Sequence, residues 1–382
     1  MARPDPYGGI RWHWTTPRAR DILRRRSLPE ILAFYRELNQ LPQEELGTLL
    51  GYSTSYISRV ETGSRTISDV GALRQIAERL GLPPHVLGIT DDADGDHRTV
   101  IQLGESVLRL ADIARQAGQA TAAVDELWPL VARLEARAAD GHTEADVLRL
   151  LARARVGLGV ALGHVLPEER LATAARWTGK GVAIARRLDD RALHAHALRH
   201  HGNELRKAGL HHVALERLAR ARDLSRTPDD RAAAVILLAR AAGTAGATAV
   251  FDQAVTESRR LLETANTTAL FSEFTLHEVQ LRGLAATGRE RQAVDLLEHA
   301  PAPGLQTSPQ WRIISAITAA QILLRRGDNS AAGRQMQAAL DGAVLHRLPH
   351  QVQRVIRSSQ AMPGVLETAE GALARLRADI AA

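Results

Sequence analysis

Between residues 43 and 63 the chain reads Gln-Glu-Glu-Leu-Gly-Thr-Leu-Leu-Gly-Tyr-Ser-Thr-Ser-Tyr-Ile-Ser-Arg-Val-Glu-Thr-Gly, and its spacing predicts a helix, a one-glycine turn and a second helix. Leu46 and Leu50 share one apolar face, Ile57 and Val60 another. Gly47 is small enough to let the two helices cross closely, and Gly51 supplies the left-handed residue that ends the first. Ser53 can cap the second helix through its hydroxyl. Two short helices locked at a steep angle leave the outer face of the second free to enter a DNA major groove.

Working outward, the order of elements is Pro29–Asn39, Gln43–Leu50, Ser53–Glu61, Asp69–Leu80 and Pro84–Leu87. The third helix ends on Glu-Thr-Gly, and Ile-Ala-Glu-Arg-Leu-Gly-Leu-Pro follows later. On these residues the stretch from about Pro29 to Leu87 resembles a phage-repressor/Cro-type (XRE-type) helix-turn-helix domain. The resemblance covers about a sixth of the chain. It implies that Thr54, Ser55 and Tyr56 stand at base edges, with Ser53, Ser58 and Arg59 beside them. Arginine can donate bidentately to guanine, hydroxyls read several bases, and a tyrosine ring packs on a thymine methyl. Gln43, Thr62 and Arg65 are candidate phosphate contacts, which orient a domain without reading sequence. The competing packing roles are an Arg59 ion pair with Glu61 and a Tyr56 ring lying on the first helix.

The 382 residues suggest two or three domains, and an apolar content of 45% describes a globular chain. Cysteine is absent, which excludes disulfides and thiolate chemistry. The arginine-bearing N-terminus lacks the apolar segment of a secretory signal. No uncharged apolar run approaches the ~18 residues of a membrane span. A cytoplasmic, nucleoid-associated protein with no membrane partner is therefore expected. The formal charge is +6, and Lys180 and Lys207 are the only lysines. So lopsided a use of arginine reflects genomic base composition as much as a nucleic-acid partner. Placement says more: Arg3, Arg11, Arg18, Arg20, Arg24, Arg25 and Arg26 face only Asp5 and Asp21 in residues 1–26. This basic arm, 1–27, either follows a phosphate backbone or covers the domain, pinned by Trp12 and Trp14.

The helix-turn-helix domain spans 28–89. The acidic, glycine-containing tract at 90–97 reads as a linker. From 98 to 382 the pattern is amphipathic helices with short Gly, Pro, Asp or Thr turns and no strand signal. Helices are expected at Thr99–Gln119, Ala122–Ala139, Ala145–Val165 and Glu168–Leu188. The segment 197–221 resembles a tetratricopeptide repeat: Gly202 permits close approach, Gly209 turns, and Ala214, Leu218 and Ala221 pack back. The same rhythm recurs at Gly288, Ala293, Leu297 and Ala300, and at Gly327, Ala332, Met336 and Ala339. A degenerate unit around Gly246 fills the gap. Such hairpins cannot bury their apolar faces alone, so they stack into a superhelix with a concave side. The expected fold is all-α: a five-helix repressor-type domain followed by a tetratricopeptide-like α-superhelix.

On the inner face of the 197–221 unit stand His196, Arg199, Asn203 and Arg206, three to four residues apart. Asparagine can pair with a peptide amide, and arginines can hold a carboxylate in a fork; a solvated polar groove is the bland alternative. The whole chain resembles the Rgg/PlcR-like peptide-pheromone receptors of Gram-positive bacteria. That resemblance implies a peptide effector, although the other units offer Glu278 with Arg282, and Gln321, in place of a repeated asparagine. The histidines at 194, 196, 200, 201, 211 and 212 do not complete a metal-ligand set. His277-Glu278 opens like a zinc-protease motif but has Leu281 at the second histidine position. No phosphate loop, nucleophile elbow or catalytic carboxylate pair stands out. The expectation is a homodimeric, non-enzymatic bacterial regulator that binds operator DNA and a peptide or small-molecule effector, with no cofactor. The alternative is a repeat-type interaction scaffold whose DNA binding is secondary or lost.

Overall fold

The computed structural model describes residues 12–89, 97–299, 301 and 307–381. The expected linker lies outside these but for its last residue, as do residues 1–11 of the arm, the Trp12 side chain and Ala300. Every regular element among the described residues is helical. The first domain comprises α1 (Pro17–Arg25), α2 (Leu28–Asn39), α3 (Gln43–Leu50), α4 (Thr54–Glu61), α5 (Val70–Leu80) and a 3-10 turn (Pro84–Leu87). Gly51 takes φ +78° to close α3, and the Ser53 hydroxyl accepts from Tyr56 N at 3.3 Å to start α4. A Cβ on Gly47 would stand 2.6 Å from the Tyr52 carbonyl oxygen, so the helix crossing requires glycine there.

Residues 14–25 lie against this domain instead of extending from it. Thr16 Oγ1 accepts from Ala19 N at 3.1 Å, with Pro17 in the first turn of α1. The Trp14 Nε1 donates to the Leu80 carbonyl at 2.7 Å, and its ring stacks on Tyr35. Trp14, Ala19, Ile31, Leu46, Ile57, Val60 and Leu80 belong to one buried cluster. Ile22 and Leu23 of α1 pack partly buried against this cluster beside the buried Ala19, so α1 is bound to the domain by apolar contact as well as by charge.

The repeat region begins with α6 (His97–Gln116), α7 (Ala120–Ala139), α8 (Ala145–Val165) and α9 (Leu171–Arg187), the last preceded by a 3-10 turn at Glu168–Arg170. It continues with α10 (Arg191–Lys207), α11 (His211–Leu224), α12 (Pro228–Ala245), α13 (Thr248–Leu261), α14 (Glu273–Ala286) and α15 (Glu290–Leu297). Four further helices, α16 (Pro309–Arg325), α17 (Asn329–Leu345), α18 (Pro349–Ser358) and α19 (Pro363–Ala381), complete it. Gly209, Gly246, Gly288 and Gly327 all take positive φ, between 70° and 86°, at the hairpin turns. A Cβ on Gly202 would meet Leu218 Cγ at 2.6 Å, and Ala214, Leu218 and Ala221 are fully buried on α11. Ala293, Ala332, Met336 and Ala339 are buried likewise; Leu297 is only partly so.

The superhelix also closes on itself. His350 Nδ1, on α18, donates to the His164 carbonyl at the end of α8 at 3.1 Å. Gln353 Oε1 accepts from Glu168 N at 2.8 Å, Arg357 forks onto the Glu168 carboxylate, and Arg377 reaches Glu169 at 2.7 Å. The first domain meets the repeats elsewhere, where the turn at Gly141 abuts the backbone of Gly81 and Leu82.

Candidate functional site

The outer face of α4 is built by local chemistry. The Ser53 cap fixes the helix start, Ile57 and Val60 hold its inner side in the core, and the remaining positions turn outward. With the described residues in place, Ser53, Thr54, Ser55, Arg59, Thr62 and Arg65 are exposed, and Tyr56 and Ser58 partly so. The Ser53 and Ser55 hydroxyls lie 3.2 Å apart. Arg59 does not pair with Glu61: its Nε donates to the Ser55 carbonyl at 3.1 Å. Glu61 is instead gripped by Arg36 at 3.0 and 3.2 Å and by Gln43 Nε2 at 2.7 Å.

That grip changes what two candidates can offer. Gln43 spends one amide hydrogen on Glu61, so it ties α3 to the end of α4 before it can touch anything outside. Tyr56 stacks on Tyr52, 4.6 Å between centroids, and packs partly buried against the domain core. The Arg65 guanidinium stands 4.4 Å from the Tyr56 ring centre. The ring is therefore packed between neighbours, and its edge is the part left to meet a partner. The Thr62 hydroxyl donates to the Ser58 carbonyl at 2.9 Å, closing the helix end. Ser64, not foreseen from the sequence, does the same at the Arg59 carbonyl, 3.0 Å away. The residues with unspent outward chemistry are Thr54, Ser55, Arg59 and, beyond its ring contact, Arg65.

A second site lies inside the repeats. A cavity of about 1020 Å³ is walled by α6, α8, α10, α12, the 266–271 loop and the start of α16. His196, Arg199 and Asn203 line it, whereas Arg206 stands behind and donates to Asn203 Oδ1 at 3.2 Å. The sequence reading missed His164, His200, Lys207, Arg240 and Trp311, which line it as well. A signal for Arg240 existed: it precedes the turn residue Gly246 by six, as Asn203 precedes Gly209 and Arg282 precedes Gly288.

Electrostatically the cavity is unusual. Arg199 Nη2 donates to His196 Nδ1 at 3.3 Å and His200 Nε2 at 3.4 Å. Burial pushes His196 down to about 3 and His200 and His164 well below the ordinary histidine range, so these rings are neutral. Burial also lowers Lys207 to about 8 against the pull of Glu204, which it meets at 2.9 Å. Arg240 is lowered well below the ordinary arginine value by burial and by Arg206, Arg282 and Arg354. Its guanidinium stands 4.9 Å from the Trp311 ring centre. Among the described residues, no group of three or more His, Cys, Asp or Glu is placed to hold a metal ion. None of the described helices is long and apolar enough to cross a membrane.

Residues 23–87 match the family described as helix-turn-helix domain. No curated protein sequence matches the chain. Among solved structures, the chain is similar to PlcR of Bacillus thuringiensis in complex with the peptide PapR7 and DNA. That alignment has 12% identity and a TM-score of 0.38, covering 81% of this chain and 98% of the other. A circular tandem repeat protein with a novel repeat topology aligns at 14% identity and a TM-score of 0.17, over 94% of this chain and 91% of its own. The N-terminal domain is thus a helix-turn-helix domain, carried on an all-α helical-repeat body.

Proposed function

We propose that the protein is a sequence-specific DNA-binding transcription regulator. It acts as a homodimer in the cytoplasm, on the chromosome, and its repeat domain takes up a peptide or small-molecule signal. The observation that carries this reading is the α4 face: Thr54, Ser55 and Arg59 stay exposed with the repeats in place. The helix-turn-helix match over 23–87 supports it independently. In this reading Arg59 donates to a guanine edge, worth about 1–3 kcal/mol of discrimination. Arg65 touches a phosphate, and the first domain is repeated on two half-sites about one helical turn apart. A signal in the cavity shifts the balance between two arrangements of the dimer only if it binds them unequally.

The test is a mobility shift with genomic fragments, wild type against Arg59→Ala and Thr54→Ala. The expected outcome is selective retention of one fragment by the wild type, with Arg59→Ala losing about ten- to a hundredfold of that preference. Retention that is sequence-blind, falls steeply with salt and ignores both substitutions would assign the chain to the scaffold class instead.

A further inference from the structure

The interior of the repeat ring holds more positive charge than its own residues neutralise. Arg199, Arg206 and Lys207 on α10, Arg240 on α12, Arg282 on α14 and Arg354 on α18 converge there. Arg240 senses the charges of Arg206, Arg282 and Arg354 together, and Lys207 those of Arg206 and Arg240. The buried carboxylates among them are Glu204, already held by Lys207, and Glu278, which accepts from the Ser315 hydroxyl at 2.8 Å. Asp112, Asp229 and Asp230 line the cavity as well, and Asp230 and Asp112 act on Arg199, but the same lining sets Arg109, Arg115, Arg153, Arg199, Lys207 and Arg240 against them. Donors are left over: Arg199 Nε, Arg240 Nε, and both Nε and Nη2 of Arg282 are buried without an acceptor.

Packing alone does not call for this arrangement. Gathered cations with orphaned N–H groups are costly in a low-dielectric interior, and apolar side chains of similar volume would fill the space at lower free energy. Such groups are expected where a ligand supplies the missing charge. Arg199, Lys207 and Arg240 line the cavity itself, beside the Trp311 face and the apolar wall of Val160 and Leu237. Arg206, Arg282 and Arg354 stand behind them and raise the potential at the same spot.

We propose that this cavity is a binding site for a multiply charged organic anion, whose carboxylate or phosphate groups are held by Arg199, Lys207 and Arg240 against the Trp311 face. This deepens the signal-receiving reading above and rests on it. It puts the recognition charge on α10 and α12 together, with Arg240 as the main contact, and gives Asn203 the lesser part of orienting Arg206.

Thermal unfolding of the full-length protein tests it, in sodium chloride, citrate and pyrophosphate at matched ionic strength. One of the two polyanions is expected to raise Tm saturably, by at least ~2 °C over chloride. Citrate alone identifies carboxylate chemistry, and pyrophosphate alone identifies phosphate chemistry. Arg240→Met keeps the side-chain stem but removes the charge. It is expected to abolish the polyanion increment and, in chloride, to leave Tm equal to or above that of the wild type. The proposal is overturned if neither polyanion exceeds chloride, if Arg240→Met retains the increment, or if that variant is destabilised in chloride like an ordinary core truncation. Wild-type mobility shifts run alongside without polyanion, so that failure to retain a fragment counts against the DNA-binding reading and not against the cavity.

Discussion

His196 and His200 stand edge to face, 4.6 Å between ring centres, and share Arg199 as a donor. Neutral rings suit that role, because a protonated ring could not accept from a guanidinium. Burial comes first among the causes holding His164, His196, His200, His201 and His350 below the ordinary value of 6.5, with His196 at about 3 and His201 at about 4. Cations add to it from every side: Arg199 on the same helix, Arg153 on α8, Lys207 and Arg354 toward His350. The unfolded chain therefore takes up protons first as pH falls through 6.5. The stability owed to these rings is complete above that pH and declines below it. Glu278, pushed up by burial, works in the opposite sense but is a single group. Lys207, at about 8, titrates outside this window. Tm is accordingly expected to fall between pH 7 and pH 5, and His196→Gln to flatten that fall. A Tm that holds steady across the interval would show that the rings are open to protons in the folded chain.

At the scale of elements, the crossing of α3 and α4 is the tightest constraint in the first domain. Gly47→Ala would push a methyl to 2.6 Å from the Tyr52 carbonyl oxygen, and backbone cannot yield as a side chain does. The expected cost is about 1–3 kcal/mol, read as a lower denaturation midpoint for the first domain. DNA affinity should fall with it, because the same crossing aims α4. A midpoint unchanged within error would mean that the turn relaxes freely. This crossing was legible in the sequence, because turn, cap and apolar spacing all lie within twenty residues and report on local geometry. Helix α1 was not, since its arginines obscure the 19, 22, 23 spacing of Ala, Ile and Leu that faces the core. The cavity was half legible. His196, Arg199 and Asn203 share one helix and one period, whereas Arg240 belongs to a unit whose second helix packs Phe251 where the other units place an alanine. The Arg36–Glu61–Gln43 cluster could not be read at all, because it joins three helices through long side chains.

Across the whole molecule, the contact between 164–169 and 350–377 joins the end of the superhelix to its earlier helices. Sequence rhythm predicts stacked units with an open concave side, but it says nothing of whether the last unit returns to the first. That contact links residues more than 180 positions apart. The seam mixes two kinds of interaction. His350 is buried on the His164 carbonyl, and Val352 and Val355 sit in the C-terminal core. The Arg357–Glu168 and Arg377–Glu169 pairs are half-exposed. Pairs of that exposure contribute up to about 1 kcal/mol each and weaken with salt. They therefore bias the seam toward closure without locking it. Replacing both carboxylates, Glu168→Gln with Glu169→Gln, should lower the local opening free energy by about 1–2 kcal/mol, so that amide exchange in α18 quickens roughly five- to thirtyfold. Wild-type protein in 1 M salt should move toward the same rates, as screening at that ionic strength reaches within about 3 Å. Exchange in α11, which lies away from the seam, serves as the reference and should not change. If α18 exchanges no faster in the double variant, the seam is held by Val352, Val355, His350 and the Gln353 bond to the Glu168 backbone, and the ion pairs contribute nothing to it.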